Sequence, residues 1–230
     1  MPISTSRAFA FVHVRKAAGT SISRALENLD PAMSYNAKGL WDVLCAHPRR
    51  RRLLAMVRER FPIGPLTDFP QWHLPADVLR ELTGAQRWKE LFTFAFVRNP
   101  WDLVVSAYHF ERRYVELPQV AQREPDRAEI VRRATTFAKF VTLYPLMEAP
   151  DMTSMIAGAD GVPIVDFVGR FENLREDFGQ VARRIGLSGA LPHENRSDDR
   201  LDYRSYYTPK TREVVRRYFV RDVERFGYRF

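Results

Sequence analysis

One cysteine, Cys45, in 230 residues leaves the chain without an intrachain disulfide and without a thiolate cage for a metal ion. That scarcity points to a reducing compartment, and a cytoplasmic location is expected. No segment approaches the ~20 consecutive apolar residues that cross a bilayer. The opening MPISTSRAFAFVHV has no charged leader followed by a long apolar stretch and a small-residue cleavage site. A soluble chain follows, with peripheral contact to an anionic surface left open by charge alone. Internal repeats, low-complexity tracts and an obvious linker are also missing, so one domain over 1–230 is expected. Acidic residues are in short supply, 28 against 36 Lys and Arg, for a net charge of +8. Such an excess draws polyanions, among them nucleic acid, anionic glycans, acidic lipid and phosphorylated nucleotides, and does not choose between them. Enough apolar material is present for a core: 45% hydrophobic and 13% aromatic residues exclude a disordered chain.

The pattern is α/β. Residues 8–14 are apolar without alternation, as in a strand covered on both faces of a parallel sheet. From Thr20 the spacing changes, with Ile22, Ala25, Leu26 and Leu29 on one helical face and Asp30-Pro31 as a stop. FTFAFV, residues 92–97, repeats the strand signal. Asn99 can cap, and Pro100 can open, a helix carrying Trp101, Val104, Val105 and Tyr108. A third strand is expected within VPIVDFVGRF after the Asp160-Gly161 turn. Asn173 and Glu176 then stand at capping-box spacing before a helix with Phe178, Val181, Ala182 and Ile185 inward. Thr208-Pro209 starts a final helix. The segments 111–165 and 188–208 read as less regular and as candidates for an acceptor side, although 111–150 is charged and helix-prone. A mainly parallel central sheet flanked by helices is the expected architecture.

Two strand-to-helix turns carry cations. In RKAAGTS, residues 15–21, Lys16 brings a full charge, Gly19 permits close approach to the backbone, and Thr20 and Ser21 add hydroxyl donors. The following helix offers unpaired amides and a partial positive charge. This composition suits phosphate or sulfate; the plain alternative is a basic turn with a hydroxyl cap. No G-x-x-x-x-G-K-[ST] occurs, and the lysine precedes the glycine, which sets the turn apart from a Walker A loop. At the second turn Arg98 leaves a buried strand and Ser106 follows on the helix. A buried arginine needs an anion, either a ligand or an internal carboxylate such as Asp102 or Glu111. Together the two turns suggest a ligand with two separated anionic groups beyond the strand carboxyl ends.

These residues resemble a known family. FVHVRKAAGTS is similar to the F-x-H-x-P-K-x-G-G-T-S turn of sulfotransferase family 2. FAFVRNPWDLVVSAYHF resembles that family's F-x-F-V-R-N-P-W-D-R-L-V-S-x-Y segment. DFVGRFENLREDF and the tail from Tyr203 resemble its bacterial members. The resemblance implies a P-loop-like sulfotransferase fold and the co-substrate 3′-phosphoadenosine 5′-phosphosulfate (PAPS), with 3′,5′-ADP as product. The acceptor would be a hydroxyl of a carbohydrate or glycan, anionic if the basic surface guides it. Arg15, Lys16, Ala17, Ala18, Gly19, Thr20 and Ser21 would then hold the 5′-phosphosulfate, and Arg98 and Ser106 the 3′-phosphate, with Arg170 as a further contact. Lys16 would stabilise the leaving oxygen, and no metal is implied. Arg15 stands where proline is usual, Ala17 and Ala18 where threonine and glycine are, and Leu103 where arginine is; Ala18 leaves the backbone less room to wrap its ligand.

A base is needed for the acceptor hydroxyl. His73 follows a loop and precedes Arg98 by about the distance at which heparan sulfotransferases of the family carry a catalytic histidine; its ordinary pKa near 6.5 suits the role. The alternative is a loop histidine that caps or packs. His13 reads as a satisfied core residue and His109 as a cleft neighbour of Ser106, while His47 and His193 sit in polar loops. The arginine run 49–52 is a solvated face or a guide for an anionic acceptor. Two other functions compete. A P-loop-type kinase lacks GK[ST] and a strand ending in a magnesium-binding aspartate. A non-enzymatic nucleic-acid-binding protein would explain the charge but lacks a recognition motif, so no nucleic-acid partner is expected. The sequence assigns no oligomeric state.

Overall fold

The segment FAFV has no polar face to show, and it forms the strand whose neighbours organise the sheet. In the computed structural model, residues 3–4, 6–29, 46–60, 73–147, 150–188 and 201–230 are described. The expected stop at Asp30-Pro31, Cys45, the proline-punctuated loop 61–72 and His193 lie outside them. Four strands, β1 (Ile3–Ser4), β2 (Phe9–Val12), β3 (Phe92–Val97) and β4 (Phe167–Arg170), pair in that order. β2 and β3 run parallel, with Phe9 opposite Phe92 and Val12 opposite Ala95. β3 and β4 run parallel, with Phe94 opposite Phe167 and Val97 opposite Arg170. β1 joins antiparallel and was not foreseen, being two residues long. The carboxyl ends of β2, β3 and β4 therefore share one edge. Phe9, Phe11, Phe94 and Phe96 are wholly buried, as the unbroken apolar runs require.

Two strands are shorter than expected, for local reasons. Ala8 takes φ +51°, outside any strand conformation. At the other end the Val14 amide turns back to the Val12 carbonyl, 3.1 Å. Within 162–171 only the last residues pair with β3. Ahead of them Ile164 donates to Ile156 O (2.9 Å), and Pro163 bridges Ala157. Asp166 fixes the register: its carboxylate accepts from the Thr93 amide (2.7 Å) and hydroxyl (2.8 Å), while its own amide donates to the Thr93 carbonyl.

The described residues gather into two compact units. The first comprises Met1–Glu59, Pro70–Arg98 and Met152–Arg196, the second Arg60–Phe69, Asn99–Asp151 and Ser197–Phe230. The first holds the sheet. Its helix α1 (Gly19–Leu29) buries Ile22, Ala25 and Leu26 and exposes Thr20 and Arg24. The helix Leu174–Ile185 packs on β4 with Phe178, Val181, Ala182 and Ile185 buried, as the spacing indicated. The expected Asn173–Glu176 capping box does not form. A 3-10 turn, Phe171–Asn173, leads into the helix instead, and Asp177 accepts the Arg170 amide at 2.6 Å.

The second unit is helical. Pro100, Pro118, Pro125 and Pro209 each occupy the first position of a helix, where a missing N–H costs nothing. Asn99 caps the helix Pro100–Tyr114 through the Trp101 amide (3.1 Å), as expected, and Thr208 and Thr211 cap each other. Residues 111–165 are more regular than anticipated, with helices Pro118–Arg123, Pro125–Arg133 and Phe137–Leu143. Glu111, fully buried, receives Arg127 on both oxygens at 2.6 and 2.8 Å. Phe230 stands edge-on to Trp101, Tyr203 and Tyr207. Among the described residues no helix is long and apolar enough to cross a membrane.

Gly169 tests the sheet packing. A Cβ there would fall 2.4 Å from Cε1 of the buried Phe96. Overpacking of this kind costs about 1–3 kcal/mol, so Gly169→Ala should lower the denaturant midpoint at unchanged slope; an unchanged midpoint contradicts the packing described.

Candidate functional site

Beyond β2 the chain makes a tight turn over residues 15–18 before α1 begins, and the Ala18 carbonyl accepts the Ile22 amide (3.1 Å) in the helix's first turn. Lys16 has φ +62° and Ala18 φ +65°, while Arg15 and Ala17 keep negative φ. Alternation of this sign turns successive amides to one side and is how a backbone builds an anion-binding concavity. A non-glycine residue in the left-handed region costs roughly 1–2 kcal/mol, so the turn stores strain at both positions. Strain of this sort persists only where the surroundings over-determine it. Ala18 takes the conformation that a glycine would adopt freely.

Gly19 has a close neighbour within the protein. A Cβ on it would lie 1.6 Å from Nε2 and 1.9 Å from Cδ2 of His13. The close approach at Gly19 is made by that imidazole. Thr20 is exposed and Ser21 buried.

Arg98 supplies part of the constraint on the turn. It leaves β3 buried, its amide directed to Met152 Sδ at 3.3 Å. Its Nη1 donates to the Lys16 carbonyl at 2.9 Å, and its guanidinium lies 3.7 Å above the centre of the Phe171 ring. Stacking on an aromatic face is a site that guanidinium occupies well. Lys16 and Arg98 thus stand together, at the carboxyl ends of adjacent parallel strands. Arg170 ends the third strand, in register with Val97. Of the carboxylates considered as internal partners for Arg98, Glu111 is engaged by Arg127. Asp102 is buried in the first turn of its own helix.

The two histidines of the first unit form a pair. His73 Nδ1 lies 2.8 Å from the His13 carbonyl, and the ring centres are 4.3 Å apart at 56°. A carbonyl only accepts, so Nδ1 carries the proton and the lone pair of neutral His73 sits on Nε2. Both rings are buried. Burial, then the His13 charge, with Arg15 and Lys16 adding to it, holds His73 well below the ordinary 6.5, against the opposing bond to the His13 carbonyl. Burial and the Lys16 charge lower His13 to about 4. His13 is a core residue as expected, yet not a satisfied one: among the described residues Nδ1 has no hydrogen-bond partner. The pairing was not foreseen, the only trace in sequence being a polar residue closing an apolar run.

The remaining candidates lie on other elements. Ser106 lies on the helix Pro100–Tyr114 of the second unit, where His109 Nε2 meets the Tyr206 hydroxyl at 3.0 Å. Arg49 pairs with Glu81 at 2.7 Å, while Arg50, Arg51 and Arg52 are exposed at the start of the helix Arg50–Arg60, beside a surface cleft of about 690 Å³. Among the described residues no three His, Cys, Asp or Glu side chains are grouped to hold a metal ion.

A sequence model described as Sulfotransferase family matches residues 2–229, running through both units. The chain is a member of the sulfotransferase family. An uncharacterized protein of Archaeoglobus fulgidus is similar to it, 32% identical over 118 residues, covering 51% of this chain and 87% of that protein. The fold seen here, a mostly parallel four-stranded sheet with helices, is consistent with the family. Membership supports sulfuryl transfer as the general chemistry of this chain.

The buried histidines make stability depend on pH. A histidine depressed in the folded state is protonated first in the unfolded chain, so its contribution is complete above pH 6.5 and is lost as pH falls. For His13 the window runs from 6.5 to about 4 and corresponds to about 3 kcal/mol. Glu213, pulled down from 4.5 to about 2 by Arg216 and Arg217, acts in a lower range. Unfolding free energy measured against denaturant should decline between pH 6.5 and 4.5, with a smaller decline in His13→Phe. Equal slopes in both proteins contradict the assignment.

Proposed function

We propose that this sulfotransferase moves the sulfuryl group of PAPS to a hydroxyl of a carbohydrate or glycan. The observation that carries the reading is the hydrogen bond from Arg98 to the Lys16 carbonyl, which joins the cationic end of β3 to the concave, lysine-bearing turn after β2. That arrangement fits a ligand with two anionic groups. The amides of residues 15–19, with Thr20 and Ser21, face the 5′-phosphosulfate at the head of α1. Arg98 takes the 3′-phosphate, and Arg170 borders the nucleotide. PAPS when bound supplies an activated sulfuryl group and a good leaving group.

Each residue then has a task. Lys16 offsets the negative charge that grows on the bridging oxygen as 3′,5′-ADP departs. His73 receives the acceptor's proton on Nε2, its lone pair fixed there by the bond from Nδ1 to the backbone. Its depressed pKa keeps it unprotonated at neutral pH, ready to act as a base. The low pKa also moves the pH dependence: an acidic limb near the ordinary 6.5 is replaced by one below it, because burial and the neighbouring cations oppose protonation.

Kinetics on variants separate these tasks. Lys16→Ala should lower kcat by about 10²- to 10³-fold, as removal of one oxyanion donor does. It should keep the acidic limb of kcat/KM. His73→Ala should lower turnover by ~10²- to 10⁴-fold and lose that limb. An acidic limb surviving in His73→Ala assigns the proton to another group. In binding measurements Arg98→Ala should erase the preference for 3′,5′-ADP over 5′-AMP, because charge-assisted bonds to phosphate are the strong ones. An unchanged preference in the folded variant means that another residue holds the 3′-phosphate.

A further inference from the structure

His13 lies between the two halves of the proposed reaction without belonging to either. One side of its ring faces Gly19, so closely that a methyl group there would sit within 1.6 Å of Nε2. Its other neighbour is His73, ring centres 4.3 Å apart. Phe11 stacks against the ring as well, at 5.6 Å. Its carbonyl receives the His73 Nδ1 proton. Its own Nδ1 is buried and has no partner among the described residues.

A buried nitrogen left unbonded costs free energy, on the order of 1–3 kcal/mol, and a phenylalanine would pack in the same run of phenylalanines without that cost. An imidazole at this point is therefore not explained by core packing. Two contacts account for it. The flat, narrow ring fits against the bare Cα of Gly19, where α1 begins. The same ring is the wall on which His73 rests.

We propose that His13 is a positioning residue that joins the phosphosulfate turn to the base, so that displacement at residue 19 is transmitted to the His73 imidazole. The inference rests on the assignment of these elements to donor and acceptor chemistry. Its structural content, a coupling of Gly19 to His73 through His13, stands without it. Among the described residues, the charged or titratable groups that act on His73 are His13 itself and, from the turn, Arg15 and Lys16. Lys16 faces His13 as well. The variants below leave Arg15 and Lys16 unchanged, so changes in His73 titration report on placement and on His13.

The coupling is read by nitrogen-15 NMR of the imidazoles in the full-length protein, with no nucleotide and no acceptor. In wild type, His73 should show the Nδ1–H tautomer and a titration midpoint below 6.5. In His13→Ala the wall is gone and water enters, and the midpoint should rise toward 6.5. The acidic limb of kcat/KM should rise with it, a change that mere loss of stability does not produce. Gly19→Ala, which drives the His13 ring from its place, should shift the His73 resonances in wild type and leave them unmoved in the His13→Ala background. Should His13→Ala fail to fold, His13→Phe keeps a ring in place, and Gly19→Ala in that background must again disturb His73.

Titration of His73 unaltered by His13→Ala, or Gly19→Ala without effect on His73 in wild type, overturns the proposal. Failure of 3′,5′-ADP to bind wild type would instead count against the sulfotransferase assignment of this site and would leave the NMR result to decide the coupling alone.

Discussion

The hydrogen bond from Arg98 to the Lys16 carbonyl is the constraint on which the site depends. It crosses from the end of β3 to the turn that follows β2, and it holds a residue with positive φ in a conformation that costs energy alone. Without parallel pairing in the register Val12 to Ala95 the two ends would not meet. Without the Phe171 ring beneath it the guanidinium would lose the surface that supports it. Sheet register, side-chain burial and loop strain thus converge on one carbonyl oxygen.

Electrostatically the site is cationic by design of the backbone as much as by side chains. Arg170 ends β4, Arg98 follows β3 directly and Lys16 stands in the turn after β2, while the turn and helix α1 add amide dipoles of the same sign. The two histidines add no charge at neutral pH, since burial keeps both in the free-base form. In the proposed reaction a neutral base would stand beside a cationic anion site, a sensible division, since a protonated histidine would bind sulfate well and accept no proton.

Much of this was legible in the sequence. The runs AFAFVHV and FTFAFV indicated buried strands, which form over Phe9–Val12 and Phe92–Val97, and Asn99-Pro100 and Thr208-Pro209 announced helix starts through local chemistry. Lys16 and Arg98 were found because cations at strand ends are rare without a purpose. What escaped notice depended on contacts between residues distant in sequence. The bond from His73 to His13 spans 60 positions and leaves no periodic trace. The contact of Gly19 with the His13 ring left no pattern in the sequence either. Asn173 stands at the N-cap position but makes no cap bond, because it closes a 3-10 turn with φ −116° and ψ 27° instead of the extended backbone of a cap, and spacing alone does not register such a turn.

The central claim, that one edge of the sheet holds a nucleotide with a 5′ and a 3′ anionic group, is met most directly by thermal shift of the unmodified protein with 3′,5′-ADP, 5′-AMP and ATP. A ligand present at 100 times its dissociation constant adds about 2.7 kcal/mol to stability. The account predicts a clear rise in Tm with 3′,5′-ADP and smaller rises with 5′-AMP and ATP at equal concentration. Equal shifts with all three, or none with 3′,5′-ADP, would contradict it.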